Sequence, residues 1–113
     1  MKIINKSKNI VLAEDASNAD NPFKRMKGLL GKKEFMLGKA LILKPCNSIH
    51  TFFMRFPIDV LFINKENKVI AFLPSFKPFR LTRIYPASSS VIEFPSGTLK
   101  PNLVERGDII ALE

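Results

Sequence analysis

The stretch Pro45-Cys46-Asn47-Ser48-Ile49-His50-Thr51-Phe52-Phe53-Met54-Arg55-Phe56-Pro57-Ile58-Asp59 holds the only cysteine and the only histidine of the chain, four residues apart. An imidazolium beside a thiol lowers its pKa and makes it nucleophilic. A carboxylate such as Asp59 can orient the imidazole, as the third member of a triad does. Cys46, His50 and Asp59 are therefore the candidates for covalent or acid–base catalysis. The same three side chains are zinc-ligand types, and three protein ligands leave a coordination position open. Zinc sites legible in a sequence pair two close ligands with a second close pair, and the chain has no second pair, so no metal is assigned. The plainer reading makes Cys46 a small buried hydrophobe and lets His50 and Thr51 satisfy backbone groups where a loop enters the core. Asp59, between Ile58 and Val60, can likewise cap a turn or pair with Arg25 or Arg55.

Two basic segments offer a different chemistry. Lys24, Arg25, Lys27, Lys32 and Lys33 put five positive charges within ten residues, which suits phosphate groups but also suits an ordinary solvated helix face. In Phe76-Lys77-Pro78-Phe79-Arg80-Leu81-Thr82-Arg83-Ile84-Tyr85 basic and aromatic residues interleave. Rings that stack on bases and cations such as Lys77, Arg80 and Arg83 that hold phosphates are what a single-strand binding surface requires. The segment matches no RNA-recognition signature, and its aromatics can equally pin a loop to the core. Met54, Phe52, Phe53, Phe56 and Phe62 read as core or pocket lining.

These residues need a scaffold, and the hydrophobic pattern describes one that is mainly β. Ile3-Ile4 and Ile10-Val11-Leu12-Ala13 flank a polar turn, the pattern of a first hairpin. Five further runs rich in Val, Ile, Leu and Phe follow at Ala40–Leu43, Val60–Ile63, Val69–Leu73, Val91–Phe94 and Ile109–Leu112. Asn64 to Lys68 joins the second and third of them as a hairpin, with Asn67 suited to a left-handed conformation. Pro74, Pro78 and Pro86 predict a long loop from Pro74 to Pro86. Asp20-Asn21-Pro22 supplies a helix cap and a first-turn proline, and Phe23, Met26, Leu29 and Leu30 share a face before Gly31, so one short helix is predicted at about Pro22–Leu30. Gly28 inside it implies close packing against a neighbour. The expected class is α+β, mainly β: a small twisted antiparallel sheet or partly closed barrel crossed by that helix.

The 113 residues, 46% of them hydrophobic, suffice for one core, and no repeat or linker divides the chain, so a single domain over residues 1–113 is expected. One cysteine excludes an intramolecular disulfide. No apolar run reaches the length of a signal peptide or membrane span, which together with the lone thiol suggests the cytoplasm. Basic residues outnumber acidic ones 18 to 10, and residues 1–56 hold 11 basic against 4 acidic. That field attracts phosphate backbones or acidic surfaces, or simply keeps the protein soluble.

The segments Arg25-Met26-Lys27-Gly28-Leu29-Leu30, Cys46 to Met54, Ile58-Asp59-Val60-Leu61-Phe62, Val91-Ile92-Glu93-Phe94-Pro95-Ser96-Gly97 and Gly107-Asp108 resemble, in order and spacing, the family called domain of unknown function 192. The resemblance runs from about Ile10 to Leu112. It implies a compact β-rich fold and brings no substrate, cofactor or catalytic residue with it. The family pattern falls on Arg25, Gly28, Leu29, Met54, Asp59, Phe62, Glu93, Gly97, Gly107 and Asp108, which directs attention to a shared polar site among Arg25, Asp59 and Glu93. The chain departs from the commoner family pattern at Phe53-Met54-Arg55-Phe56-Pro57, where many members resemble Trp-Met-Lys-Asn-Thr.

Three functions remain. The first is a small ligand-binding or accessory domain with Arg25, Thr51, Met54, Asp59 and Glu93 as binding candidates, and a small molecule or protein as partner. The second is an enzyme using Cys46 and His50. The third is a basic nucleic-acid-binding module. No cofactor is called for by any of them.

Overall fold

The structure, a computed structural model, describes residues 1–19, 35–52 and 54–113. All regular structure among the described residues is strand: β1 Ile3–Asn5, β2 Ile10–Ala13, β3 Asp15–Ala19, β4 Lys39–Leu43, β5 Ile58–Ile63, β6 Val69–Phe76, β7 Ser90–Pro95 and β8 Ile110–Leu112. They form a three-stranded sheet in the order β2-β1-β8 and a five-stranded sheet in the order β3-β4-β7-β5-β6. The expectation of one antiparallel sheet or a partly closed barrel is therefore corrected to two sheets that do not close. β3 and β6 end the larger one, and β3 lies parallel to β4, with Asp15 opposite Lys39 and Ala19 opposite Leu43. The helix expected at Pro22–Leu30, with Gly28, Leu29 and Gly31, lies outside the described residues.

The first hairpin forms as the pattern predicts, β1 against β2, and β8 pairs with the other edge of β1. Asn67 takes a positive φ of 64° at the β5–β6 turn, and the Asn64 side-chain oxygen accepts the N–H groups of Glu66 and Lys68 there. β3 has no counterpart among the predicted strands. Its sequence Asp-Ala-Ser-Asn-Ala lacks β-branched residues, and what it buries is small, Ala16 and Ala19. The predicted Pro74–Pro86 loop is also corrected at its start, because β6 continues through Pro74 to Phe76. A proline is tolerated there because β6 is an edge strand and bulged at that point: Ile58 faces Phe76 and Val60 faces Leu73, so Pro74 and Ser75 of β6 together oppose Asp59 of β5.

β5 and β7 sit inside the sheet and are buried along their whole length. Both their faces meet core, which explains two nearly continuous apolar runs. One face, with Leu61, Ile63, Ile92 and Phe94, packs against Ile3, Leu12 and Ile110 of the smaller sheet together with Leu99 and Val104. The other, with Ile58, Val60, Phe62 and Val91, meets Cys46, Ile49 and Met54, flanked by Phe35, Leu41, Phe56, Phe76 and Tyr85. Burying a side chain such as Phe62 or Phe94 contributes about 2 to 3 kcal/mol. Two apolar layers on one sheet thus carry most of the fold.

Candidate functional site

The three catalytic candidates do not share an environment. Cys46 is 8% exposed in the second apolar layer, and its thiol donates to the Ser48 carbonyl at 3.1 Å. Its backbone is fastened by Cys46 N–H to the Ser89 carbonyl and by Ser88 Oγ to its own carbonyl. His50 stands at the surface and stacks on Phe52, with ring centroids 5.2 Å apart. Phe52, expected as lining, is exposed. Asp59 is buried, and its two oxygens accept backbone N–H groups, Oδ1 from Ser75 and Oδ2 from Leu99, both at 2.8 Å. Ser75 is the bulge residue of β6, with φ of 46°. The carboxylate therefore receives an N–H that the bulge removes from the ladder, and ties it to the turn after β7. This is the turn-capping alternative for Asp59, extended to two turns at once.

Thr51 is fully buried and serves as the hub of the basic–aromatic segment. Its hydroxyl donates to the Lys77 carbonyl at 2.7 Å and accepts the Arg80 N–H at 3.0 Å. Its backbone N–H donates to the Arg80 carbonyl, and its carbonyl accepts from Phe79 and Met54. From there the chain pairs as an irregular ribbon: Thr82 N–H donates to the Ile49 carbonyl, Thr82 Oγ1 accepts the Ile49 N–H, and Tyr85 N–H donates to the Asn47 carbonyl. His50 and Leu81 face each other across this ribbon. Ile49, Thr51 and Thr82 point inward, while His50, Leu81, Lys77, Arg80 and Arg83 are exposed. Arg83 lies over the Tyr85 ring, 4.7 Å from its centroid. Of the proposed nucleic-acid contacts, Lys77, Arg80 and Arg83 are thus solvent-facing, and Lys24, Lys27, Lys32 and Lys33 lie outside the described residues.

Glu93 is the residue the local pairing leaves unexplained. In β7 it lies opposite Leu41 of β4 and Val60 of β5. Directly paired residues project to the same face, so the carboxyl belongs to the layer of Val60, Phe62 and Met54. It is 6% exposed and has no hydrogen-bond partner among the described residues. Removal from water raises its pKa from 4.5 to about 7. Asp59 pairs with Phe94, one step along, and so points into the opposite layer. The strand register separates Asp59 from Glu93 by the thickness of the sheet. Arg25, the third member of the suggested polar site, lies outside the described residues, while Met54 shares the face of Glu93.

A buried polar knot at the other end of the molecule was not anticipated in the sequence. Asp108 Oδ2 accepts from Asn5 Nδ2 at 2.8 Å, Lys8 Nζ at 2.9 Å and the Glu105 N–H at 3.0 Å. Burial alone would raise the Asp108 pKa, but Asn5, Lys8 and the Glu105 amide outweigh it and hold the carboxyl below its ordinary value. The Gly107-Asp108 dipeptide was the available signal: Gly107 has a φ of 94°, a left-handed turn. Among the described residues no group of three His, Cys, Asp or Glu side chains is arranged to hold a metal ion. No helix among them is long and apolar enough to cross a membrane.

Comparison with known proteins places this arrangement. A UPF0127 protein of Thermococcus kodakarensis is 32% identical over 96% of this chain and 71% of its own length. One of Pyrococcus abyssi is 36% identical over 94% of this chain and 92% of its own. A crystal structure of a protein of unknown function from Novosphingobium aromaticivorans superposes with a TM-score of 0.82 at 16% identity, covering 98% of this chain and 82% of that one. A Sinorhizobium meliloti structure does so at 0.78 and 18%, covering 97% and 89%. These two establish likeness of fold alone. The family model described as DUF192, uncharacterized ACR, matches residues 3–112, and the chain belongs to that family.

Proposed function

We propose that residues 1–113 act as one small-molecule-binding domain whose recognition group is Glu93, and that the ligand is an apolar molecule bearing an ammonium or other strong donor. One observation carries this reading. Of the described positions on which the family resemblance rests, Met54 and Phe62 fill the core, Asp59 caps the β6 bulge, Gly97 and Gly107 make positive-φ turns, and Asp108 holds the terminal strands. Glu93 alone among them has no bond that accounts for a carboxyl at that place. A carboxyl that burial pushes toward the neutral form, with no structural bond to account for it, is a candidate for a functional site.

The site so defined has Val60 and Leu41 beside the carboxyl and Met54 in the same layer. A ligand ammonium would pair with ionised Glu93 and relieve the burial cost, since a cation within contact distance favours the charged form. Arg25 remains a candidate contact for an anionic part of the ligand. The reading needs no nucleophile, and a thiol retained on Cys46 fits a reducing cytoplasm.

Hexylamine and benzylamine, each against the alcohol of the same skeleton, serve as probes in a thermal unfolding assay. The amines are expected to raise the Tm, increasingly as the pH passes through about 7 and Glu93 ionises, and the alcohols much less. Glu93→Gln should abolish the difference. Equal effects of amine and alcohol, or an amine effect retained in Glu93→Gln, would refute the assignment.

A further inference from the structure

On the ribbon built from residues 47–52 and 77–85, the outward side chains combine two properties that the ligand site does not use. Leu81, Ile84 and Phe79 are 68%, 62% and 58% exposed, with Phe52 beside them at the surface. Interleaved with them are the exposed cations Lys77, Arg80 and Arg83. Residues 44–58 and 74–92 contain five basic residues and no acidic one, and no ion pair neutralises Lys77, Arg80 or Arg83 among the described residues. Arg80 instead donates to the carbonyls of its own turn, and Arg83 rests on Tyr85.

The ribbon is also held firmly. Phe79 adopts a φ of 60°, which a bulky side chain takes only where its surroundings enforce it. The enforcement is visible: the Thr51 carbonyl accepts the Phe79 N–H at 2.9 Å, and the Thr51 hydroxyl bridges Lys77 and Arg80. Bonds from one buried threonine thus fix the backbone of Phe79 and of its cationic neighbours at the surface.

We infer that this ribbon docks the protein on an anionic lipid surface, with Leu81, Ile84 and Phe79 entering the interface and Lys77, Arg80 and Arg83 meeting the headgroups. Two arguments select lipid among anionic partners. Leu81 and Ile84 stand mostly exposed rather than half covered as the walls of a groove would be, and apolar side chains set among cations suit the headgroup–acyl boundary of an anionic bilayer. Leu81 and Ile84 have no π-face and add nothing to stacking on bases, so a nucleic-acid strand would leave them in water. Apolar side chains flanked by Lys and Arg give the two-part affinity that interfacial binding requires.

The chain contains no tryptophan, so Leu81→Trp introduces a single indole that can be excited selectively at the red edge of the absorption band. Mixed with vesicles of phosphatidylcholine and phosphatidylglycerol, the full chain should co-sediment and the emission of the introduced indole should shift to the blue. Phosphatidylcholine vesicles alone should do neither. Leu81→Ser with Ile84→Ser should weaken binding to the anionic vesicles by about tenfold or more, and charge reversal at Lys77, Arg80 and Arg83 by about a hundredfold or more. Both sets are surface substitutions, and an unchanged Tm in each verifies that the fold persists. Absence of co-sedimentation at low salt overturns the inference. So does binding that the two serine substitutions leave intact, which would mean attraction by charge alone. Retention of a single-stranded oligonucleotide without retention on vesicles would overturn it too, and assign the ribbon to nucleic acid instead.

Discussion

Replacing Glu93 by glutamine should make this protein more stable above neutral pH and leave it nearly unchanged in acid. In the folded chain the carboxyl titrates near 7, against 4.5 for the exposed group. Between those values the folded state holds a proton that the unfolded state has released. Raising the pH therefore favours unfolding across this window, and the loss is complete once the pH exceeds about 7. At about 1.4 kcal/mol per pH unit, the distance from 4.5 to about 7 corresponds to about 3 kcal/mol of stability missing at pH 8. Below 4.5 the carboxyl is protonated in both states and the term vanishes. Glutamine has the shape of the protonated acid and does not titrate. Urea unfolding followed by far-ultraviolet circular dichroism should place Glu93→Gln about 3 kcal/mol above the parent at pH 8, with roughly a 10 °C rise in Tm, and within about 0.5 kcal/mol of it at pH 4.5. A variant less stable than the parent at pH 8, or a gain independent of pH, would refute the reasoning. A stabilised variant that no longer responds to amines would be the trade expected where a group is retained for binding at the expense of folding.

Asp108 should behave in the opposite sense. Its carboxyl is held below the ordinary value, so its contribution is present above about pH 4 and is lost as acid protonates the folded state; Asp108→Asn should cost about 2 kcal/mol at pH 7 and flatten the acid limb of a stability–pH curve. Asp59→Ala strands the N–H groups of Ser75 and Leu99, for an expected loss of about 3 kcal/mol, with hydrogen exchange at those two amides rising beyond the global change; equal protection factors would contradict the capping role. Thr51→Val keeps the shape but removes the hydroxyl bonds to Lys77 and Arg80. It should cost about 2 kcal/mol and broaden the amide signals of residues 77–80 in NMR spectra before those of β5 or β7.

Much of the strand inventory was legible because its cause is local. The Val- and Ile-rich runs became β4 to β8, and Asn64 to Lys68 became the hairpin turn, since side-chain branching and left-handed tolerance act within a few residues. β3 was not legible: alanines on a parallel edge strand leave no periodic signal of their own, and their place depends on β4. Pro74 misdirected the reading of β6, because a proline breaks a central strand and is accommodated on an edge with a bulge.

The candidate site divides along the same line. By itself the sequence determined that the only cysteine and the only histidine lie four residues apart in a family-like segment ending at Asp59, and that a basic–aromatic stretch follows. Only the tertiary structure decided that Cys46 goes inward while His50 goes outward, that Thr51 rather than His50 organises the backbone, and that Leu81 and Ile84 stay in water. It also decided that Asp59 and Glu93 look into different layers. Strand side chains alternate, so one residue of register determines which face a carboxylate occupies, and register is set by pairing between strands distant in the chain.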